Sequence, residues 1–357
     1  MTARERVLMA MRREGKPDRA PFEISWGAFT PSVMRVYKEK TGSSLDPDEY
    51  FDFDTRSVNI LPTKKLTDFK KYYDETFSDA VFFDEWGVGM VHGSTEHFVE
   101  YKYHPLANYE TPEEIENYEW PDVDAEYRFE GLADKVRSYH ENGYAVMGEL
   151  YQTIFEMSWL MRGMENMLID FVINEEIAEA ICERLMNIRI NQAKAYARMG
   201  VDIIRLGDDV ATQRGPMISA AMYGKYLKPR YKKIIEAAKE INPDILIFLH
   251  CDGKVEDMVG DFIEVGVDIL NPVQPECNDL EKIFNLYGNK ISFWGGIGTQ
   301  STMPFGTPED VRAKVKEVQS VLGKNGGLLL APTHILEPEV PWENIIAFID
   351  AAKTSRY

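Results

Sequence analysis

From residue 144 onward the chain repeats one rhythm that restricts its possible folds: a short apolar run, a polar loop, then a stretch with helical spacing. "YAVMGE" (144–149) leads into "IFEMSWLMRGMENMLIDFVI", and "DIIRLGDD" (202–209) leads into "MYGKYLKPRYKKIIEAAKEI". "ILIFLHCDG" (245–253), "VDILNPVQP" (267–275), "ISFWGGIG" (291–298) and "GLLLAPTH" (327–334) follow, with helical material between them. Strands that are apolar on both faces and alternate with helices indicate a parallel sheet covered by helices. Two earlier candidates, "FEISW" (22–26) and a run near 57–62, bring the total to about eight units, the number that closes a (β/α)8 TIM barrel. The sequence therefore predicts one barrel domain over 1–357, with 1–140 as an N-terminal elaboration and 141–357 as the regular part. A doubly wound open sheet is the alternative, but no GxGxxG or P-loop follows a strand.

Composition narrows the function. The 59 acidic residues outnumber the 40 basic ones, a net charge of −19, which argues against broad binding to nucleic acid or an anionic membrane. It leaves room for a small anionic substrate in a locally positive pocket. No apolar run approaches the roughly 20 residues of a membrane span. The amphipathic start, "MTARERVLMAMRREGKPDRAP", has no secretory pattern, and Thr2 and Glu5 have capping-box spacing. Three cysteines, Cys182, Cys251 and Cys277, make no disulfide framework, and the expected setting is the reducing cytoplasm.

Polar residues crowd the C-terminal ends of the apolar runs: Glu149, Asp208, Asp209, His250, Asp252, Asn271, Gln274 and His334. In a barrel those ends form one rim, where active sites sit. Side chains alternate along a strand, so His250 and Asp252 share a direction and Cys251 takes the other. With His334 they would make a two-imidazole, one-carboxylate set suited to Zn2+ or to iron(II), with Cys277 as a fourth candidate. The bland alternative is an ordinary hydrogen-bonded loop histidine. Because Asp208 and Asp209 are adjacent, at most one should face the pocket, as substrate anchor or general base, while the other caps a turn or pairs with a cation. Glu149 offers a metal ligand or an acid, and equally a helix N-cap. "WGGIG" (294–298) suggests close backbone approach to a substrate, or tight helix packing. Trp86, Gln274 and Trp294 are the candidate substrate contacts, although core packing is the safer reading of Trp86. His92, His97, His104 and His140 show no ligand spacing.

The stretch "GVDILNPVQPECNDLEKIFNLYGNKISFWGGIGTQSTMPFGTPEDV", followed by "LLLAPTHILEPEVPWENI", resembles the uroporphyrinogen decarboxylase superfamily, and within it the methyltransferases that serve corrinoid proteins. "RERVLMAMRREGKPDRAPFE" carries a weaker likeness. The resemblance implies a (β/α)8 barrel. It also implies a zinc site in which a His-x-Cys and a later Cys are replaced here by His250, Asp252 and His334. Exchanging two thiolates for harder donors leaves an ion more Lewis-acidic, better suited to polarising a methyl ether than to activating a thiol. The paired arginines of the porphyrinogen decarboxylases are missing from "PDRAPFEISWGAFTPSVMRVY". The function expected is therefore a zinc methyltransferase performing O-demethylation of a small methylated substrate, a methoxylated aromatic. The cobalamin would be carried by a partner corrinoid protein, since no DxHxxG-type corrinoid signature occurs in this chain. Two imidazole ligands predict metal loss below about pH 6. A lyase acting on a carboxylated substrate without corrinoid, and a metal-free binding protein on the same barrel, are the alternatives.

Overall fold

A computed structural model describes residues 1–25, 29–94 and 98–357; Trp26 and His97 lie outside the described residues. Strands β1 (Thr55–Val58), β2 (Phe82–Phe83), β3 (Gly89–His92), β4 (Val99–Tyr103), β5 (Ala145–Leu150) and β6 (Ile203–Gly207) are followed by the short pair β7 (Ala211–Thr212) and β8 (Gly215–Pro216). Then come β9 (Leu246–His250), β10 (Ile269–Asn271), β11 (Ser292–Ile297) and β12 (Leu328–Pro332). A seven-stranded parallel sheet runs in the order β1-β5-β6-β9-β10-β11-β12, and helices cover its outer face. Each of the six units read from residue 144 onward supplies one of these strands.

Sheet closure comes from an irregular stave. Phe22 bridges Leu330 of β12, Leu330 N–H donates to the Pro21 carbonyl, and Glu23 N–H donates to the Leu330 carbonyl. On the other side, Asp54 N–H reaches the Phe22 carbonyl just ahead of β1. The described part of the "FEISW" run is thus not a regular strand. Pro21 brings no N–H, and Phe22 N–H is taken by the Asp54 carboxylate at 2.9 Å instead of a ladder carbonyl. β1 also begins earlier than expected, because its inward residues, Thr55 and Ser57, are polar and bond to Glu23 and Glu149.

The strand pattern divides into two cores. Leu246 and Phe248 of β9 join Ala145, Met147, Ile203, Ile269, Trp294 and Leu329 inside the barrel, whereas Ile247 and Leu249 pack outward under the helices. The helix Ala3–Met11, begun by the Thr2/Glu5 capping box, closes the floor with Val7, Ala10 and Met11. The β2-β3-β4 antiparallel sheet lies between β1 and β5 in the chain. Trp86 is in its core, not on a pocket wall: its ring meets Trp120 edge-on and lies under the Arg189 guanidinium. Gly87, at φ 84°, leaves no room for a side chain, because an added Cβ would strike Tyr118 and Phe69.

Asp84 sets the turn before β3 by accepting N–H bonds from Trp86 and Val88, both at 2.9 Å. Burial, opposed by those bonds, pushes its pKa up to about 6. The folded state therefore holds its proton more tightly than the unfolded chain does, and the contribution is lost as pH rises from about 4 through 6. Asp84→Asn can keep the acceptor without the charge. Its stability relative to the parent should rise by about 2–3 kcal/mol between pH 4 and pH 7, measured by urea unfolding. A pH-independent difference would contradict this assignment.

Candidate active site

His250 is the last residue of β9 and continues the inward series of Leu246 and Phe248. Its Nδ1 lies 2.6 Å from Asn271 Oδ1 on the neighbouring β10. The Asn271 amide is itself oriented, because its Nδ2 donates to the Trp294 carbonyl at 2.9 Å. With Oδ1 thereby the acceptor, Nδ1 of the neutral ring carries the hydrogen and Nε2 presents a lone pair. Two carboxylates face that nitrogen: Asp209 Oδ1 at 3.7 Å and Asp252 Oδ2 at 3.8 Å. Asp252 N–H also donates to Asp209 Oδ1 at 2.7 Å, tying the β6 and β9 ends together. Asp209, His250 and Asp252 offer donor atoms within 4.8 Å of one another. One imidazole and two carboxylates form a hard N/O set that suits zinc or another divalent first-row ion.

The two adjacent aspartates diverge as strand geometry requires. Asp209 faces His250, but Asp208 is not a pocket residue. It is buried in the wall, where it accepts N–H bonds from Ile154 (2.7 Å), Phe155 (3.0 Å) and Glu156 (2.8 Å), and the Tyr231 hydroxyl. It thus caps the helix Phe155–Arg162, and the expected substrate-anchoring role is corrected on that ground. Burial raises its pKa to about 6 despite these donors.

Glu149 and Trp294 are placed in the floor beneath the site and not on its wall. Glu149 Oε1 accepts from Ser57 at 2.6 Å and lies 3.5 Å from Arg205. Arg205 is fully buried, 3.4 Å from Glu23, with its guanidinium over Phe248 and Trp294. Trp294 Nε1 donates to Glu23 at 2.9 Å. Burial works against the Arg205 charge, but Glu149, Tyr151 and Glu23 outweigh it and hold the proton more firmly. Arg205 was not singled out from the sequence, although an arginine inside "DIIRLG" is itself a sign of a buried ion pair.

Cys251 packs outward into the helix-side core, as alternation requires, and burial pushes its thiol well up. His334 and Cys277 are not in the compact donor group. His334 lies two residues beyond β12 and lines the same cavity as Asp252, whose carboxylate its imidazole favours. Cys277 is in the turn after β10, against the Gln274 carbonyl and Asn278, and burial pushes its thiol up to about 11. Gln274 lines the cavity and accepts Gly253 N–H at 3.3 Å. Gly295 and Gly296 serve packing, contrary to the favoured reading of "WGGIG": added Cβ atoms would strike the Pro272 carbonyl and Val318. One site residue escaped sequence reading. Glu156, in the first turn of its helix, reaches Asp209 N–H at 3.2 Å, and burial with the Asp208 and Asp209 charges pushes its pKa up to about 9. Acidic residues are common in first turns, so the sequence offered no reason to single it out.

The mouth opens into a cavity of about 390 Å3 bounded by Phe98, Thr212, Asp252, Gln274, Thr333 and His334, among others. The family model for uroporphyrinogen decarboxylase (URO-D) matches residues 78–355. This chain belongs to the URO-D family. It is 29% identical over 183 residues to the methylcobamide:CoM methyltransferase MtbA of Methanosarcina mazei, which covers 51% of each chain. A methylated-thiol–coenzyme M methyltransferase of the same organism is 25% identical over 259 residues, covering 69% of this chain and 63% of that one. Uroporphyrinogen decarboxylase 2 of Oryza sativa is 23% identical over 51% of this chain and 44% of the relative. The chain thus spans about half the length of the first two kinds of curated relative that it matches, MtbA and the rice decarboxylase. A solved methyltransferase from Methanosarcina mazei superposes with a TM-score of 0.71 at 18% identity, over 99% of this chain and 98% of that one, which establishes the URO-D-like barrel. Among the described residues no helix is long and apolar enough to cross a membrane.

Because Asp208 caps a helix from inside the wall, Asp208→Ala should cost about 2–4 kcal/mol in urea unfolding. Asp209→Ala should cost less than about 1 kcal/mol, since Asp209 is partly exposed. Equal losses would contradict the division of roles.

Proposed function

We propose that the chain is a metal-dependent methyltransferase, moving a methyl group from a small methylated substrate to the Co(I) corrinoid of a separate partner protein. The favoured donor is a methyl ether, most simply a methoxylated aromatic. The observation that carries this reading is the convergence of His250, Asp252 and Asp209 at the mouth of a URO-D-family barrel. The kinship with proteins named as methylcobamide:CoM methyltransferases supports it.

His250 Nε2, Asp252 and Asp209 would hold zinc, and His334 is the further imidazole that the cavity wall offers. Bound there, the ion would supply Lewis acidity toward the ether oxygen, greater with N/O donors than with thiolates. The chain's own residues do the rest. Asn271 fixes the His250 ring and its tautomer, so that Nε2 faces the carboxylates without searching. Asp209 ties the Asp252 backbone in place. Glu156 accepts the Asp209 N–H and so holds the backbone that carries the Asp209 carboxylate. Gln274 lines the cavity while its Oε1 holds Gly253, and so the turn that carries Asp252.

Metal analysis after zinc loading should find close to one ion per chain. His250→Ala and Asp252→Ala should lose it, and His334→Ala should weaken binding less than either. Full occupancy in the first two variants would remove the site. Zinc-loaded protein, mixed anaerobically with a Co(I) corrinoid protein and a panel of methyl ethers, should methylate the cobalt, seen as a change in its visible spectrum. Transfer from no member of the panel would contradict the reading.

A further inference from the structure

The end of β12 opposite His334 borders a second cavity, of about 620 Å3, between the helices Pro308–Val321 and Trp342–Thr354. Five cations line it, Lys16, Arg312, Lys316, Lys324 and Arg356, and no aspartate or glutamate does. In a chain of net charge −19 that concentration runs against composition. Counting a carboxylate at Tyr357 still leaves five positive charges against one. Arg312 makes one exposed ion pair, with Glu309 at 3.1 Å, and the other four have no carboxylate partner among the described residues. Lys16 and Lys324 lie over the rings of Tyr357 and Phe284, and Arg356 reaches the backbone carbonyls of Lys353 and Ser355.

Helix-end electrostatics does not account for the cluster. Basic residues favour the last turn of a helix, where the macrodipole is negative, but Arg312 and Lys316 stand in the body of theirs, whose last turn has none. Four residues apart, they share one face with Ser320, while Lys314, on another face, is paired with Glu317 at 2.7 Å. Gln319, also in the lining, has its Oε1 taken by the Ser355 hydroxyl, and its Nε2 is a buried donor with no partner. The turn that carries Lys16 is fixed against the loop before β12, because a Cβ on Gly326 would strike the Gly15 carbonyl. Like charges held around a cavity repel, and a multiply charged anion relieves that cost. A phosphate group brings up to two charges where a carboxylate brings one, and a volume in the range of small-molecule pockets suits an organic ligand better than a protein face. We propose that this cavity binds a small phosphorylated molecule through Lys16, Arg312, Lys316 and Lys324. The site is separate from the mouth and does not depend on the methyl-transfer reading.

Calorimetry on chelator-treated protein, with no metal at the mouth to hold an anion, tests this with adenosine diphosphate, pyrophosphate and adenosine. Each of the two phosphates should bind once per chain, and adenosine about tenfold or more weaker. Arg312→Gln combined with Lys316→Gln should weaken both phosphates about tenfold, whereas His334→Ala at the mouth should change neither. Bound pyrophosphate should also shield Lys16, Lys316 and Lys324 from acetylation, read by mass spectrometry, but not Lys232 or Lys233, which are exposed on the helix Lys228–Lys239. Failure of both phosphates to bind, undiminished binding in the double variant, or binding lost in His334→Ala overturns the proposal. So does binding of polyglutamate where neither phosphate binds, which would make the cluster a docking face for an acidic protein.

Discussion

The buried Arg205 charge is the constraint on which the site depends. It sits in the barrel centre between Glu23 and Glu149, against the faces of Phe248 and Trp294. Glu23 holds the Trp294 indole, the Trp294 carbonyl orients Asn271, and Asn271 fixes the His250 ring. A continuous chain of polar contacts therefore runs from a buried ion pair to the nitrogen that faces the two carboxylates. Removing one partner of such a pair typically costs about 3–5 kcal/mol, because the other charge is left uncompensated in the interior. The same network that holds the barrel together also sets the aim of its reactive end.

Above that layer the balance reverses. Asp209 and Asp252 crowd the His250 Nε2 region, Glu156 stands beside Asp209, and burial raises the pKa of both Asp252 and Glu156. Concentrating carboxylates where water is partly excluded costs folding energy, and a bound cation would return it as ligand-linked stability. This is the economy of a metal or cation site: strain is placed where the ligand relieves it. The apolar and amide lining around it then decides which molecules share the space.

The regular half of the barrel was legible because strands buried on both faces read as continuous apolar runs, as in "ILIFLH" and "GLLLAP". Period-two alternation alone placed His250 inward and Cys251 outward. The first staves were harder. Phe22 trades its ladder bond for the Asp54 side chain, and β1 turns polar residues inward to meet buried carboxylates, so neither follows the apolar pattern. Which of Asp208 and Asp209 faces the mouth depends on the β5 loop, whose helix needs a cap, and that is tertiary information. His334, two residues past the end of β12 as Asp252 is two past β9, lines the same cavity, so sequence order did bring both to one mouth. Glu156 was hidden in a position where acidic residues are ordinary.

On the proposed function, this URO-D-family barrel would hold its metal without sulfur. X-ray absorption at the zinc edge, on the zinc-loaded protein, tests this most directly. The account predicts a first shell of nitrogen and oxygen only, at about 2.0–2.2 Å. A sulfur scatterer at about 2.3 Å would contradict it, because it would bring Cys277 or Cys251 into the shell and displace the Asp209–His250–Asp252 assignment.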